Sequence, residues 1–210
     1  MKTIGLIGGM SWESTTTYYQ IINTVIKEKL GGLHSAKCLL YSVDFAEIGE
    51  CQAKDDWDKS GRILAEAGKS LAKAGADFII ICTNTMHKVI DQIQVEVHIP
   101  ILHIAEVTAD ELIKQNIHKA ALLGTKYTVE QDFYKSKLIT KGIEVLINKQ
   151  GLLQNDCFGY ESQYYPILFC SSLLFRINLW LHPQYKETNF TKSLKNSSLS
   201  LKFKLINLFY

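Results

Sequence analysis

Six short apolar runs constrain the fold more than any other feature of this 210-residue sequence. They lie at residues 3–7, 38–43, 77–82, 100–104, 119–124 and 143–147, and longer helix-like segments separate them. The run 77–82 is apolar from Phe78 onward, as expected for a strand that is covered on both faces. Strands that alternate with helices form parallel sheets. The sequence therefore predicts an α/β fold, with a parallel sheet and flanking helices.

Helices are predicted between these strands, and glycines mark where two of them end. The predicted ranges are 14–30, 56–74, 106–116 and 129–141. Gly31 follows the first helix and Gly75 follows the second, as is typical of a C-terminal cap.

Charge and composition exclude several classes of protein. The formal net charge of +2 favours neither a nucleic-acid partner nor a polybasic membrane contact. The first nine residues lack the long apolar region and the cleavage site of a secretory signal, so we expect a cytoplasmic protein. Five cysteines without a CxxC pair argue against a disulfide framework and a zinc ribbon. Six histidines without paired spacing predict no metal site.

The composition changes near residue 150. Alanine and valine together number 20 before that point and 0 after it, whereas 12 of the 22 aromatic residues lie in 151–210. The tail shows no consistent helical or alternating pattern. It is either a differently evolved segment or the product of an AT-rich gene read out of frame, and we favour the second explanation. Its most apolar stretch, 164–181, contains Arg176 and Asn178 and is too interrupted to predict a membrane span.

Polar and reactive residues follow several predicted strands at their carboxyl ends, where ligands of parallel sheets bind. These strand ends are Gly8-Gly9-Met10-Ser11, Asp44, Cys82-Thr83-Asn84-Thr85 and Gly124-Thr125-Lys126-Tyr127-Thr128. The first of them is no dinucleotide fingerprint, because that pattern needs a G-x-G-x-x-G opening and a later acidic residue. Its glycines nevertheless allow a small anion to approach the backbone closely.

Cys82 is the main candidate for chemistry. It ends an apolar strand, and the Thr83–Thr85 segment after it can cap the next helix. Backbone amides at a helix start favour a thiolate, which is both a base and a nucleophile. The alternative is a buried structural cysteine. We interpret Cys38 as a core residue and Cys51 as the loop neighbour of Gln52.

Four segments give a resemblance to a known family. They are Gly8-Gly9-Met10-Ser11-Trp12-Glu13-Ser14-Thr15, Ser42-Val43-Asp44-Phe45, Cys82-Thr83-Asn84-Thr85-Met86-His87-Lys88 and Leu123-Gly124-Thr125-Lys126-Tyr127-Thr128. With their spacing, residues 1–147 resemble the aspartate/glutamate racemases, and most of all the broad-specificity branch that works without pyridoxal phosphate. The resemblance implies two pseudo-symmetric α/β halves with an active site between them. It divides the chain into a first half at 1–104, the start of a second half at 105–150 and a divergent tail at 151–210.

The same resemblance implies a mechanism and a set of site residues. Two cysteines, one from each half, act on opposite faces of the substrate α-carbon, and no cofactor or metal takes part. Cys82 matches the first catalytic cysteine. The substrate-binding positions are Met10, Ser11, Gln52, Thr83, Asn84, Thr85, Thr125 and Thr128. His87 is a weaker candidate that either tunes the thiolate or satisfies a backbone carbonyl, and we favour the second role. The implied ligand is aspartate or glutamate, and a homodimer stays open.

The tail departs from the family where the second cysteine is expected. The family carries a Gly-Cys-Thr-Glu segment there, whereas Cys157 and Cys170 lie in unrelated surroundings. The second half is therefore predicted to be incomplete and the racemase impaired. The alternatives are a non-catalytic dicarboxylate-binding remnant or a chain that barely folds. A maleate isomerase or hydantoin racemase is a weaker option, because Met10–Thr15 favours the aspartate/glutamate branch.

Overall fold

The computed structural model describes residues 1–122 and 131–147. The chain divides into two compact units, of which the first spans Met1–His103 and the second begins at Ile104. The predicted positions Thr125, Thr128, Cys157 and Cys170 lie outside the described residues, as does the tail from 151 to 210.

The first unit is built on a four-stranded parallel sheet, as the sequence predicts. Its strands are β1 (Ile4–Gly8), β2 (Cys38–Ser42), β3 (Phe78–Ile81) and β4 (Ile101–Leu102). They lie in the order β2-β1-β3-β4, and all three pairings are parallel. Every residue of β1 and β3 is buried, because these two strands occupy the centre of the sheet. Their carboxyl ends are adjacent, since Ile7 pairs with Ile81.

Helices connect these strands. They are α1 (Trp12–Leu30), α2 (Phe45–Ala53), α3 (Trp57–Lys73), a short 3-10 helix (Thr85–Val89) and α4 (Ile90–Glu96). Ser11, Asp44 and Asp56 cap α1, α2 and α3, each with a side-chain oxygen that accepts a backbone N–H. The sequence predicts α1 and α3 to within two residues and a helix after Cys82 without bounds, but it does not predict α2.

The cysteine predictions outside the site need two corrections. Cys51 lies on α2 and is buried, so its predicted loop position is wrong. Cys38 is only half-buried, because it begins β2, the edge strand of the sheet formed by the described residues.

The second unit repeats the alternation on a smaller scale within its described residues. It contains α5 (Ile104–Lys114), β5 (Lys119–Leu122), α6 (Asp132–Thr140) and β6 (Glu144–Ile147). The two strands pair in parallel, with Lys119 opposite Glu144. Ala105, Ala109, Tyr134, Leu138 and Ile143 are almost fully buried in one apolar cluster with Leu122. Buried side chains of α5 and α6 thus pack against each other and against Leu122 of β5.

Neither unit contains a membrane-spanning helix among the residues that the structure describes. In the same residues, His, Cys, Asp and Glu side chains form no cluster of three or more that could hold a metal ion.

Candidate functional site

Two loops at the carboxyl edge of the first sheet carry most of the predicted site. The β1–α1 loop holds Met10 and Ser11, and the segment after β3 holds Cys82 and Thr83–Thr85. These loops are neighbours because β1 and β3 pair directly. Gln52 lies in the last turn of α2, and the described hydrogen bonds of the Cys82 segment do not include it.

The β1–α1 loop is shaped by Gly9 and Thr15. Gly9 has a φ of +92°, and a Cβ there would collide with the carbonyl oxygen of Val43. Its N–H donates to Thr15 Oγ1 at 3.1 Å, and the same hydroxyl donates to the carbonyl of Ser11 at 3.0 Å. Only glycine fits this turn without strain. Met10 follows Gly9 in this turn and is 5% exposed.

The Ser11 hydroxyl is engaged in capping α1. Its oxygen accepts the N–H of Ser14 at 3.2 Å, and its O–H donates to the Glu13 carboxylate at 2.9 Å. A ligand that bound Ser11 Oγ would thus compete with the helix cap.

Cys82 follows β3 directly and is 1% exposed. Its N–H donates to the carbonyl of Ile7 at 2.9 Å, which continues the β1–β3 pairing by one residue. Its carbonyl accepts the hydroxyl of Ser14 at 3.0 Å. Both backbone groups of Cys82 are therefore fixed by the β1–α1 region.

The expectation that a helix start favours the Cys82 thiolate is wrong for the described residues. Burial raises the pKa of the Cys82 thiol above its usual range, because the charged form loses solvation. The following helix is a short 3-10 turn that begins three residues later, at Thr85. In this environment Cys82 is a protonated thiol at neutral pH.

Asn84 does not cap the helix that follows Cys82, contrary to the prediction. Its backbone angles, φ −78° and ψ −45°, are already helical, and its side chain makes no capping hydrogen bond. A capping residue needs an extended backbone to turn its side chain toward the helix amides. Asn84 is 7% exposed, whereas Thr83 and Thr85 are half-buried.

His87 holds this segment in place. Its Nδ1 donates to the carbonyl of Thr83 at 2.8 Å, and its backbone N–H donates to the carbonyl of Asn84 at 3.1 Å. Its ring lies 4.9 Å from that of His103. Burial, together with His103, lowers the pKa of His87 to about 3, so the ring is neutral. The predicted role of satisfying a backbone carbonyl is confirmed.

Ser14 also contacts this site, through its hydrogen bond to Cys82, although it is not among the predicted site residues. Its signal is the run Ser14-Thr15-Thr16-Thr17 at a helix start, which is unusual because β-branched and hydroxyl residues are not favoured inside helices.

Comparisons with known proteins agree with the fold. The chain is similar to the solved structure of a protein from Yersinia pestis assigned to the Asp/Glu racemases, at 54% identity and a TM-score of 0.69. It is also similar to the structure of an aspartate racemase homologue from Pyrococcus horikoshii OT3, at 38% identity and a TM-score of 0.66. Each match covers 71% of this chain and 66% of the other.

Sequence relatives give the same result. The broad specificity amino-acid racemase RacX of Bacillus subtilis (strain 168) is 28% identical over 146 residues, which are 68% of this chain and 63% of the relative. The chain therefore spans just under two thirds of the length of these relatives. The model of the Asp/Glu/Hydantoin racemase family matches residues 7–156, and the chain belongs to that family.

Proposed function

We propose that this protein acts on aspartate or glutamate as a cofactor-independent racemase in which Cys82 transfers the α-proton. The observation that carries the proposal is the position of Cys82. It lies at the carboxyl end of β3, beside the β1–α1 loop and inside the family match at 7–156. Ligands of parallel sheets bind at this edge.

The proposed reaction needs only proton transfer. The Cys82 thiolate removes the α-proton and becomes a thiol, while the electron pair of the C–H bond stays on the substrate and is delocalised into its carboxylate. A second acid then protonates the α-carbon from the opposite face. Because burial raises the pKa of the Cys82 thiol, the proposal requires that this thiol release its proton to solvent when the substrate binds. The α-ammonium group of an amino acid supplies the nearby positive charge that favours it.

The remaining predicted residues have binding roles in this proposal. Donors at the Cys82 segment hold the substrate carboxylate, so that the negative charge developing at the α-carbon is stabilised. The proposed substrate-binding set is Thr83, Asn84, Thr85, Met10, Ser11, Gln52, Thr125 and Thr128.

We further propose that the activity of this chain is impaired, because its tail carries no Gly-Cys-Thr-Glu segment to supply the second acid. The same observation favours a second candidate function, a dicarboxylate-binding protein without turnover. The two differ in whether the α-proton of the ligand exchanges with solvent.

Exchange of the α-proton of L-aspartate and L-glutamate in deuterated water, followed by proton NMR, tests the proposal. We expect exchange with the wild-type chain and none with Cys82→Ser. The matched control is Cys38→Ser, because Cys38 lies opposite Ile4 at the amino end of β2, whereas Cys82 lies beyond the carboxyl end of β3. Exchange that survives in Cys82→Ser would exclude Cys82 as the base. Aspartate binding by calorimetry without any exchange would favour the second function.

A further inference from the structure

The first turns of α1 contain four consecutive hydroxyl residues, and one of them behaves differently from the rest. Thr15, Thr16 and Thr17 each donate to the carbonyl four residues earlier in their own helix, at 3.0 Å. This is the usual local bond of a helical threonine. The hydroxyl of Ser14 instead leaves the helix and donates to the carbonyl of Cys82 at 3.0 Å, across 68 residues of sequence.

That carbonyl needs a donor from outside the sheet. Cys82 lies one residue beyond β3, whose last pair with β1 is Ile81 with Ile7, so its C=O lies beyond the described strand pairing. The residue is nevertheless only 1% exposed. A buried carbonyl without a donor is costly, because it has lost its hydrogen bond to water. The Ser14 hydroxyl replaces that water.

The Ser14 bond also links the two loops of the candidate site. The N–H of Ser14 is held by the Ser11 side chain, and its hydroxyl holds Cys82. Fixing the Cys82 carbonyl fixes the peptide plane between Cys82 and Thr83, since the peptide bond is planar. The orientation of Cys82 therefore depends on α1 as well as on its own strand.

We infer that Ser14 is a positioning residue that holds the Cys82 turn in the geometry required for proton transfer. Its importance for turnover rests on the proposed racemase function, whereas its effect on the Cys82 turn does not. The inference therefore has one readout that needs no activity and one that does.

The first readout is the rate at which iodoacetamide labels each cysteine of the full chain, resolved by peptide mass spectrometry. The variants compared are Ser14→Thr and Ser14→Val. Threonine and valine side chains have nearly the same shape, but only threonine keeps the hydroxyl. We expect about tenfold faster labelling of Cys82 in Ser14→Val, because a lost buried hydrogen bond makes local opening easier. Ser14→Thr should label as the wild type does.

Cys51 and Thr16 provide the controls. Cys51 is also buried, at 2% exposure, but lies on α2, so its labelling reports general loosening of the unit. Thr16→Val replaces a hydroxyl by a methyl group, which is also the difference between Ser14→Thr and Ser14→Val, but it does so on an exposed face of α1. Equal acceleration of Cys51 and Cys82 in Ser14→Val would overturn the inference, as would unchanged labelling of Cys82.

The second readout is α-proton exchange. We expect Ser14→Val to lower the exchange rate by ~10²-fold and Ser14→Thr to restore it, because small misplacements of a reacting group have effects of that size. If the wild-type chain shows no exchange, the proposed function fails while the labelling result still decides the role of Ser14. Full exchange in Ser14→Val would show that the bond does not position Cys82 for chemistry.

Discussion

The imidazole Nδ1 of His87 lies 2.8 Å from the carbonyl oxygen of Thr83. A carbonyl can only accept a hydrogen bond, so the ring carries its hydrogen on Nδ1. The other nitrogen, Nε2, is buried and has no hydrogen-bond partner among the described residues. The neutral His87 ring therefore acts as a clamp: from within the 3-10 helix it holds the carbonyl of Thr83, the residue after Cys82.

Removing the His87 ring should destabilise the first unit. His87→Ala leaves a cavity at a residue that is 1% exposed and leaves the Thr83 carbonyl without its donor. We expect a loss of about 2–4 kcal/mol in the free energy of unfolding at pH 7, measured by urea denaturation. His98→Ala is the matched control at an exposed histidine, with an expected change within about 0.5 kcal/mol. Equal losses in the two variants would contradict the clamp.

The same residue predicts how stability depends on pH. The pKa of His87 is about 3 in the folded chain against an ordinary value of 6.5, so between these values the unfolded chain binds a proton that the folded chain does not. Its neutral ring stabilises the fold fully above pH 6.5, and that contribution is lost as the pH falls toward 3. The loss is about 1.4 kcal/mol per pH unit.

Comparison of the wild-type chain with His87→Ala isolates this effect. The difference between their free energies of unfolding should shrink by about 2 kcal/mol from pH 7 to pH 5, because only the wild type has the buried ring. A wild-type advantage over His87→Ala that does not change with pH would show that the ring is solvated or charged in the folded chain.

Gly9 gives a prediction about the β1–α1 loop. Gly9→Ala places a Cβ at a φ of +92° and against the carbonyl of Val43, so we expect destabilisation by about 2–4 kcal/mol in thermal or urea unfolding. Gly49→Ala is the control. Gly49 lies inside α2 with open space around its Cβ position, and alanine there should stabilise by about 0.5–1 kcal/mol. A tolerated Gly9→Ala would mean that the loop adopts another conformation.

The sequence predicts the strands and the longer helices well because their signals are local. Continuous apolar runs locate β1 and β3, and the amphipathic repeat after Asp56 locates α3. A local signal for α2 is also present in the sequence. Asp44 and Glu47 have the spacing of a capping box, and the Asp44 side chain accepts the N–H of Ala46 at 3.0 Å.

The details of the site depend on contacts that no local pattern contains. The bond from Ser14 to the Cys82 carbonyl joins residues 68 positions apart, and it exists only because β1 and β3 pair. The raised pKa of Cys82 has the same origin, since burial is a property of the folded unit. The segment Thr83-Asn84-Thr85 shows the limit of a capping motif, because the backbone angles of Asn84 decide whether its side chain can cap.

The last prediction separates proton exchange from inversion. In the proposed reaction Cys82 acts on one face of the substrate, and the tail offers Cys157 and Cys170 outside any Gly-Cys-Thr-Glu context. Without a positioned second acid, inversion should be ~10²–10⁴-fold slower than with one, whereas return of the proton from Cys82 to the same face continues. The chain should therefore exchange the α-proton of L-aspartate for deuterium faster than it forms D-aspartate. Proton NMR and chiral chromatography of the same reaction measure the two rates.

Cys157→Ser and Cys170→Ser should leave both rates unchanged, while Cys82→Ser should abolish both. Equal rates of exchange and inversion in the wild type, lost in Cys157→Ser or Cys170→Ser, would identify that cysteine as the second acid and show that the tail completes the site.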